Sequence, residues 1–211
     1  MTLCKKLIIA VSTLLLATAA SADSAGNRDK SIALVGISPF GIHLATLATT
    51  PFKIGVFLGK DWMAGIDIGS GSLSASFGTV EATATYSNQG LYGRYFFGSS
   101  FNVLGGFHMR NSSGTLTATS GSTTSTLNVD AKANVLTLGI GNHWLLDWGL
   151  YVGADWLVLG AAMSKSSTAS VTSTTGGGVS SAKTDGEKFG DLLNAISAAS
   201  GAVVFTIGYA F

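Results

Sequence analysis

The chain has 211 residues, of which 11% are charged and 46% are hydrophobic, and it contains 28 glycines but only two prolines. So few charges are unusual for a soluble protein, in which about a quarter of the residues are charged. The formal net charge of +1 also excludes the strongly basic surface that is typical of nucleic-acid-binding proteins.

The first 22 residues have the organisation of a secretory signal peptide. A lysine pair precedes a short apolar stretch, and Ala20, Ser21 and Ala22 follow it as a small-residue cleavage site. The stretch is shorter than the roughly 20 residues of a membrane-spanning helix, so a retained helical anchor is the weaker alternative. We expect cleavage after Ala22, which leaves residues 23–211 as one mature domain.

The only cysteine, Cys4, lies before the apolar stretch and would be lost with the signal peptide. The mature chain would then form no disulfide and must be stabilised by other means. Loss of Lys5 and Lys6 leaves 10 basic against 11 acidic residues, a net charge of 10 − 11 = −1. We expect no nucleic-acid partner and, with three scattered histidines and no mature cysteine, no metal site and no cofactor.

Apolar residues alternate with small or polar ones in several segments, which is the period of a β-strand. One strand is predicted near residues 31–37, and three hairpins follow with turns near 59–61, 98–100 and 145–147. A last strand spans residues 201–211. One strand, three hairpins and a last strand give a prediction of eight strands.

The strongest helical alternative is residues 148–163, but Asp155 lies in its middle. An aspartate at the centre of a membrane helix costs roughly 3 kcal/mol. With a period of two, the same residues separate into Trp148, Leu150 and other apolar side chains on one face, and Tyr151, Asp155 and glycines on the other. The segment is therefore predicted to be a strand.

Longer connections rich in Ser, Thr and Gly are predicted at about 38–51, 70–86, 111–130 and 163–200. An even number of antiparallel strands, with short turns at one end and long loops at the other, is the pattern of a transmembrane β-barrel. Eight strands leave a lumen that is filled by side chains or holds one small ligand. A soluble β-sandwich is the alternative fold.

The last long connection contains a segment of helical period. Phe189, Leu192, Leu193 and Ile196 recur at the spacing of one helix face. The sequence therefore predicts a short helix at residues 185–199. A cap over the barrel mouth, a helix on the membrane surface and a lid over a ligand path all remain open for it.

The face opposite the bulky side chains carries the ionisable and polar residues of the predicted lumen, which are Lys53, Asp67, Arg94, His108, Arg110, Tyr151 and Asp155. Charges sealed in a narrow lumen should pair, because breaking a buried pair costs about 3–5 kcal/mol. The first hypothesis is a plug of salt bridges and hydrogen bonds. A polar path or ligand site is the alternative.

The last strand, GAVVFTIGYAF, places Phe205, Ile207, Tyr209 and Phe211 on one face. This alternation with a terminal Phe resembles the assembly signal of bacterial outer-membrane barrels, which the insertion machinery of that family reads. The fragments GVFLGKDWMAGIDIG and GRYFFGSSFNVLGG are similar to hairpins of small OmpA-, OmpX- or OmpW-like barrels. OmpA-like proteins often add a peptidoglycan-binding domain after the barrel, and no such tether is implied here.

The resemblance implies a porin-like barrel in the outer membrane of a Gram-negative cell envelope. Its expected partners are outer-membrane lipid, periplasmic chaperones, the assembly machinery and surface ligands of the long loops, and we expect a monomer. Three functions are considered: a structural or surface-interaction barrel, a narrow OmpW-like conduit for small or apolar molecules, and a lipid A-modifying enzyme. The first is favoured.

The enzyme hypothesis depends on the segment FHMRNSSG, in which His108 precedes Ser112 and Ser113. This spacing departs from the His-x-Ser pattern of lipid A deacylases, and no carboxylate follows until Asp130. A nucleophile also needs a base within hydrogen-bond reach and a group that orients the base. We therefore expect no catalytic residue and no enzymatic activity.

Deletion of Phe211 should lower the amount of assembled protein in the membrane more than it lowers any activity of the protein that does assemble. The reason is that the resemblance makes this side chain part of the assembly signal. Surface labelling of whole cells measures the assembled amount. Normal surface levels of the truncated chain would contradict the prediction.

Overall fold

The computed structural model describes residues 23–41, 51–120, 123–173 and 203–211. These residues form one helix, α1, and eight strands, and the bounds are α1 Ser24–Lys30, β1 Ala33–Gly41, β2 Phe52–Phe57, β3 Trp62–Phe77, β4 Val80–Phe97, β5 Phe101–Ser120, β6 Thr123–Leu145, β7 Leu150–Ser173 and β8 Val204–Ala210. Each strand pairs antiparallel with the next one in the chain.

The ring closes through an antiparallel pairing of β1 with β8, in which Leu34 lies opposite Ala210. Beyond the end of β8, the carbonyl of Phe211 accepts hydrogen bonds from the amides of Ile32 (2.7 Å) and Ala33 (2.9 Å). A closed ring leaves no open edge along the paired rungs. The prediction of an all-β, antiparallel barrel of eight strands is confirmed.

Three short turns lie at one end of the barrel, at residues 58–61, 98–100 and 146–149, close to the predicted positions. Gly98 has a φ of 70°, a conformation that glycine adopts without steric cost. We call this end the turn end and the opposite one the tall end.

The loops predicted at 70–86 and 111–130, and the first part of the one at 163–200, are wrong. Strands β3 and β4 run to a tight turn at Gly78 and Thr79, and β5, β6 and β7 also continue through their Ser/Thr-rich segments. Hydroxyl and amide side chains pair across these strands, as in the 2.6 Å contact between Thr85 and Ser113. The Ser/Thr-rich composition of these segments predicted loops, although the alternation of inward and outward residues continues through them.

Two other predictions fall outside the described residues. The helix expected at 185–199 and the signal peptide at 1–22 both belong to parts of the chain that the structure does not describe. The helix that is described, α1, was not predicted from the sequence.

The outward face nearer the turn end is apolar around the ring. We call this surface the apolar belt, and its exposed side chains are Val35, Ile37, Phe52, Ile54, Val56, Trp62, Ile66, Ile68, Leu91, Phe97, Phe101, Val103, Phe107, Met109, Leu136, Leu138, Ile140, Leu157, Leu159, Phe205, Ile207 and Tyr209. The pairing of β6 with β7 has a β-bulge after Ile140, and Trp156 is exposed beside it. Because of this bulge Val158 faces inward, although strict alternation along β7 predicts that it faces outward.

Beyond the belt, β3–β7 continue toward the tall end as a five-stranded sheet that we call the extension. It comprises residues 70–77, 80–89, 111–120, 123–134 and 164–173. Its outward positions hold mainly Ser, Thr and Asn, whereas inward Val129, Ala131 and Ala133 are at most 3% exposed. On β6 the polarity therefore reverses, because apolar residues face outward in the belt and inward in the extension. Along β3–β7 as a whole, the outward face changes from apolar to polar.

Replacement of Val129 by Asn tests this reversal. The buried site would lose apolar contacts and gain an amide without a partner, which should lower the free energy of unfolding by roughly 2–4 kcal/mol. The neighbouring change Asp130→Asn lies on the exposed outward face and should have almost no effect. Denaturant unfolding in detergent micelles measures both. Equal effects of the two changes would contradict a packed inner face.

The lumen as candidate functional site

An ion pair crosses the lumen from β4 to β7. Arg94 binds Asp155 with both terminal nitrogens, Nη1 to Oδ1 at 2.6 Å and Nη2 to Oδ2 at 3.0 Å, and Nη1 also donates to Oδ1 of Asn102. The side chains of Arg94 and Asp155 are 2% and 3% exposed. Because β5 and β6 separate β4 from β7 in the ring, this pair joins strands that are not neighbours.

His143 on β6 adds a second contact to the same carboxylate. Its Nε2 lies 3.1 Å from Oδ1 of Asp155, and the residue is fully buried. Gly153 lies directly opposite, and a Cβ at that position would overlap the imidazole ring. The Tyr151 ring also packs against the imidazole, with ring centres 5.2 Å apart. Arg94, Asn102, His143 and Asp155 therefore form one network, which we call the Asp155 network.

A second network surrounds Asp67 nearer the tall end. The carboxylate lies 3.6 Å from Nζ of Lys53 and 3.3 Å from Nδ1 of His108, and it accepts a 2.6 Å hydrogen bond from Asn88. Arg110 Nε donates to Oδ1 of Asn88 at 3.2 Å. We call this group the Asp67 network.

The absence of a side chain at Gly90 allows the Asp67 network to form. Asp67, Gly90 and His108 lie on one rung across β3, β4 and β5. A Cβ at Gly90 would overlap the His108 ring and would lie 2.8 Å from Oδ1 of Asp67. The missing side chain lets the outer two residues of the rung meet over the middle strand.

The two networks lie on opposite sides of Tyr92, which comes between Arg94 and Gly90 on the inward face of β4. Nζ of Lys53 is 5.1 Å from the centre of the Tyr92 ring. All seven lumen residues expected from the sequence face inward, but Asp67 does not meet Arg94 and Asp155 in one network of hydrogen bonds among the described residues.

Helix α1 covers the turn end of the lumen. The Arg28 guanidinium is buried, and it donates to the carbonyls of Lys60 (2.7 Å), Ser99 (2.8 Å) and Gly98 (2.9 Å). Its carbon lies 3.9 Å from the centre of the Phe96 ring. Burial lowers the pKa of Arg28, but guanidinium groups remain protonated in proteins. One side chain therefore binds two of the three turns.

The third turn is held by two other residues of the helix. Ser24 Oγ donates to the carbonyl of Leu145 and accepts from its amide at 3.0 Å. Asn27 donates to the same carbonyl and to Oδ1 of Asp147 at 2.8 Å. Since α1 contacts all three turns, we call it the turn cap.

A cluster of inward apolar side chains surrounds the Asp155 network, from Phe96 beside the turn cap to Tyr92 on the side of the Asp67 network. This buried cluster consists of Leu34, Phe57, Met63, Tyr92, Phe96, Leu104, Leu145, Tyr151 and Ala210. From the turn end toward the tall end, the lumen therefore holds α1, the Asp155 network within this apolar cluster, and then the Asp67 network.

Sequence reasoning missed Asn88, His143 and Arg28. His143 lies two residues before the turn predicted at 145–147, and it has the same inward parity as Gly139 and Gly141, while Leu138 and Ile140 face outward. That parity could have identified it. Arg28 carries no such signal, because it precedes the first strand. His43 lies outside the described residues.

The residues expected to form the assembly signal face outward. Phe205, Ile207, Tyr209 and Phe211 are all exposed, while Thr206 and Ala210 between them are buried in the lumen. They continue the apolar belt across the seam where β8 meets β1.

The arrangement around His108 separates it from the nearby serines. His108 lies against Asp67, while Ser112 lies four residues further along the same strand, about 13 Å away in an extended chain. Ser113 has the opposite parity and hydrogen-bonds to Thr85.

Neither a metal-binding cluster nor a membrane-crossing helix is present among the described residues. No group of three or more His, Cys, Asp or Glu residues in the described ranges could hold a metal ion. No helix in the described part of the chain has the length and apolar character needed to cross a membrane.

Comparison with known proteins gives one structural likeness. No protein-family model matches the chain, and no curated protein matches it. The crystal structure of CarO from Acinetobacter baumannii is similar with a TM-score of 0.46 and 10% sequence identity, covering 86% of this chain and 97% of that chain. The barrel of this chain is established by its own strand pairing, which closes the ring between β1 and β8.

Replacement of Asp155 by Asn should lower the free energy of unfolding by about 3–5 kcal/mol, because Arg94 would remain buried without its counter-charge. The double change Arg94→Met with Asp155→Leu should recover most of that loss, since it removes both charges. Unfolding of the three proteins in urea, in lipid vesicles, measures the difference. A double variant as unstable as Asp155→Asn would contradict the pairing.

Proposed function

We propose that this protein is an outer-membrane β-barrel with a structural or surface-interaction role and a lumen closed by its own side chains. The observation that carries the proposal is the ion pair between Arg94 and Asp155, which crosses the lumen. In this proposal the chain is exported by its signal peptide, binds outer-membrane lipid and has no enzymatic activity.

The apolar belt supports the membrane location, because a continuous apolar surface of this extent needs an apolar medium to cover it. On β5 the belt runs from Phe101 to Met109, about 27 Å along the strand and about 20 Å along the barrel axis at a usual tilt. This is close to the apolar band of outer-membrane barrels.

An aromatic band at the turn end also supports this location. Trp62 and Tyr95 have ring centres 4.7 Å apart, Tyr95 and Phe97 also lie 4.7 Å apart, and Phe101 lies 5.9 Å from Phe97. Aromatic side chains concentrate where a membrane meets water. In the proposed orientation the turn end faces the periplasm.

The extension supports a role at the cell surface. Its outward face is rich in Ser, Thr and Asn and would stand in water beyond the outer leaflet. Such a wall offers hydroxyl and amide groups to molecules outside the cell. The turn cap and the two networks, which lie between the turn cap and the extension, obstruct passage through the lumen. The proposed interactions are therefore made on the outside of the wall.

A narrow conduit is the second candidate, and one observation favours it. Several buried polar atoms of inward residues have no hydrogen-bond partner among the described residues: Tyr86 Oη, Tyr92 Oη, Arg94 Nε, Thr137 Oγ1, His143 Nδ1 and Tyr151 Oη. Buried polar groups of this kind commonly bind ordered water. A row of water molecules along the lumen would be the start of a polar path.

Single-channel recording in planar bilayers separates the two candidates. The wild type should be electrically silent, and Arg94→Ala should show brief openings because the obstruction of the lumen is lost. Lys30→Ala, an exposed change on α1, is the matched control and should be silent. Steady conductance of the wild type would contradict the closed barrel.

Membrane location is tested separately. Outer-membrane fractions should contain the protein, and unboiled samples should migrate as a compact species on a denaturing gel. Recovery of the chain only in soluble fractions would contradict the proposal.

A further inference from the structure

A groove of about 540 Å³ lies on the extension, across β3 to β6. We call it the rim groove, and its walls include Ser72, Thr85, Asn111, Ser113, Asp130 and Lys132. Its size is within the range of small-molecule binding sites, about 300–1,000 Å³.

The rim groove opens on the outside of the barrel. Its floor is a single rung in which Gly71, Tyr86, Ser112 and Ala131 lie side by side on the four strands. The lining residues on either side of that rung have outward parity, as do the belt residues further along each strand. The inward neighbours Asn88 and Val129 do not line it.

The height of the groove places it against the edge of the apolar belt. Ser70 follows Ile68 by one outward step, and Asn111 follows Met109 in the same way, about 7 Å along each strand. If acyl chains cover the belt, as the proposed function requires, the next layer of the membrane is the lipid headgroup. The groove is therefore continuous with the lipid-facing surface and lies at headgroup height.

The side chains of the groove fit a sugar better than they fit a simple phosphodiester. Most of them are hydroxyl or amide groups, which donate and accept hydrogen bonds as sugar hydroxyls require. The exposed carboxylate of Asp130 accepts further hydrogen bonds from hydroxyl groups. The exposed Lys132 ammonium supplies one cation for a phosphate.

The geometry points to the rim groove as a binding site for the phosphorylated sugar headgroup of an outer-leaflet glycolipid. This inference depends on the proposed function, because only an outer-membrane barrel presents the groove to that leaflet. The acyl chains of the same lipid would lie along Ile68, Leu91 and Met109 below the groove. One lipid molecule would thus contact both the belt and the extension.

Binding of fluorescently labelled lipid A to the folded chain in detergent micelles tests the inference. Wild type should bind lipid A more tightly than it binds labelled phosphatidylglycerol, and removal of the lipid A phosphates should weaken binding. Lys132→Gln should weaken lipid A binding about tenfold, the loss expected for one charge-assisted hydrogen bond. Asn111→Ala should weaken it less, because it removes a neutral group.

Lys30→Gln is the matched control, since it removes the same charge from an exposed residue at the turn end, and it should bind as wild type does. Compact migration of the unboiled variants verifies that they are folded. Equal affinity for phosphatidylglycerol, or unchanged lipid A binding by Lys132→Gln, would overturn the inference. Absence from outer-membrane fractions would instead overturn the proposed function, so the two failures are distinguishable.

Discussion

The pairing of Arg94 with Asp155 is the interaction on which the interior of this barrel depends. A sheet with an apolar outer face must turn its polar side chains inward, and a lumen of eight strands leaves them little contact with water. Charges in that space need counter-charges and hydrogen bonds within the protein. Here the carboxylates of Asp67 and Asp155 each contact hydrogen-bonding or charged partners on several strands.

The fold could be predicted because its main signal is local. Alternation of side chains along each strand determines which residues face inward, and short turns determine which strands are neighbours. Lys53, Asp67 and Arg94 were identified as lumen residues by parity alone. The partners of these residues could not be predicted in the same way. Arg94 reaches a strand three positions away in the ring, and the tilt and register of the strands determine which residues meet there.

The failures of prediction have physical causes. Ser and Thr in the extension were taken for loop residues by composition, yet they form paired strands whose outward face meets water. Helix α1 is too short for a periodic signal, and its stability comes from contacts with turns far along the chain. The sequence around Arg28 therefore gives no indication of the three carbonyl groups to which this side chain donates.

The outward face of β3–β7 changes from apolar in the belt to polar in the extension. Within the belt the outward side chains are apolar and the lumen holds both charged networks. In the extension the outward side chains are polar, and β6 buries Val129, Ala131 and Ala133 on its inward side. The change occurs within one or two outward steps of Ile68, Leu91 and Met109. That sharp boundary defines where a membrane would end on this molecule.

The turn cap has a consequence for the order of assembly. Arg28 takes its acceptors from the β2–β3 and β4–β5 turns, while Ser24 and Asn27 take theirs from the end of β6. These acceptors come together only when the strands from β2 to β6 have reached their final register. Although α1 precedes all eight strands, it is therefore among the last elements to reach its final position, and a docked α1 marks a barrel whose strands are already in register.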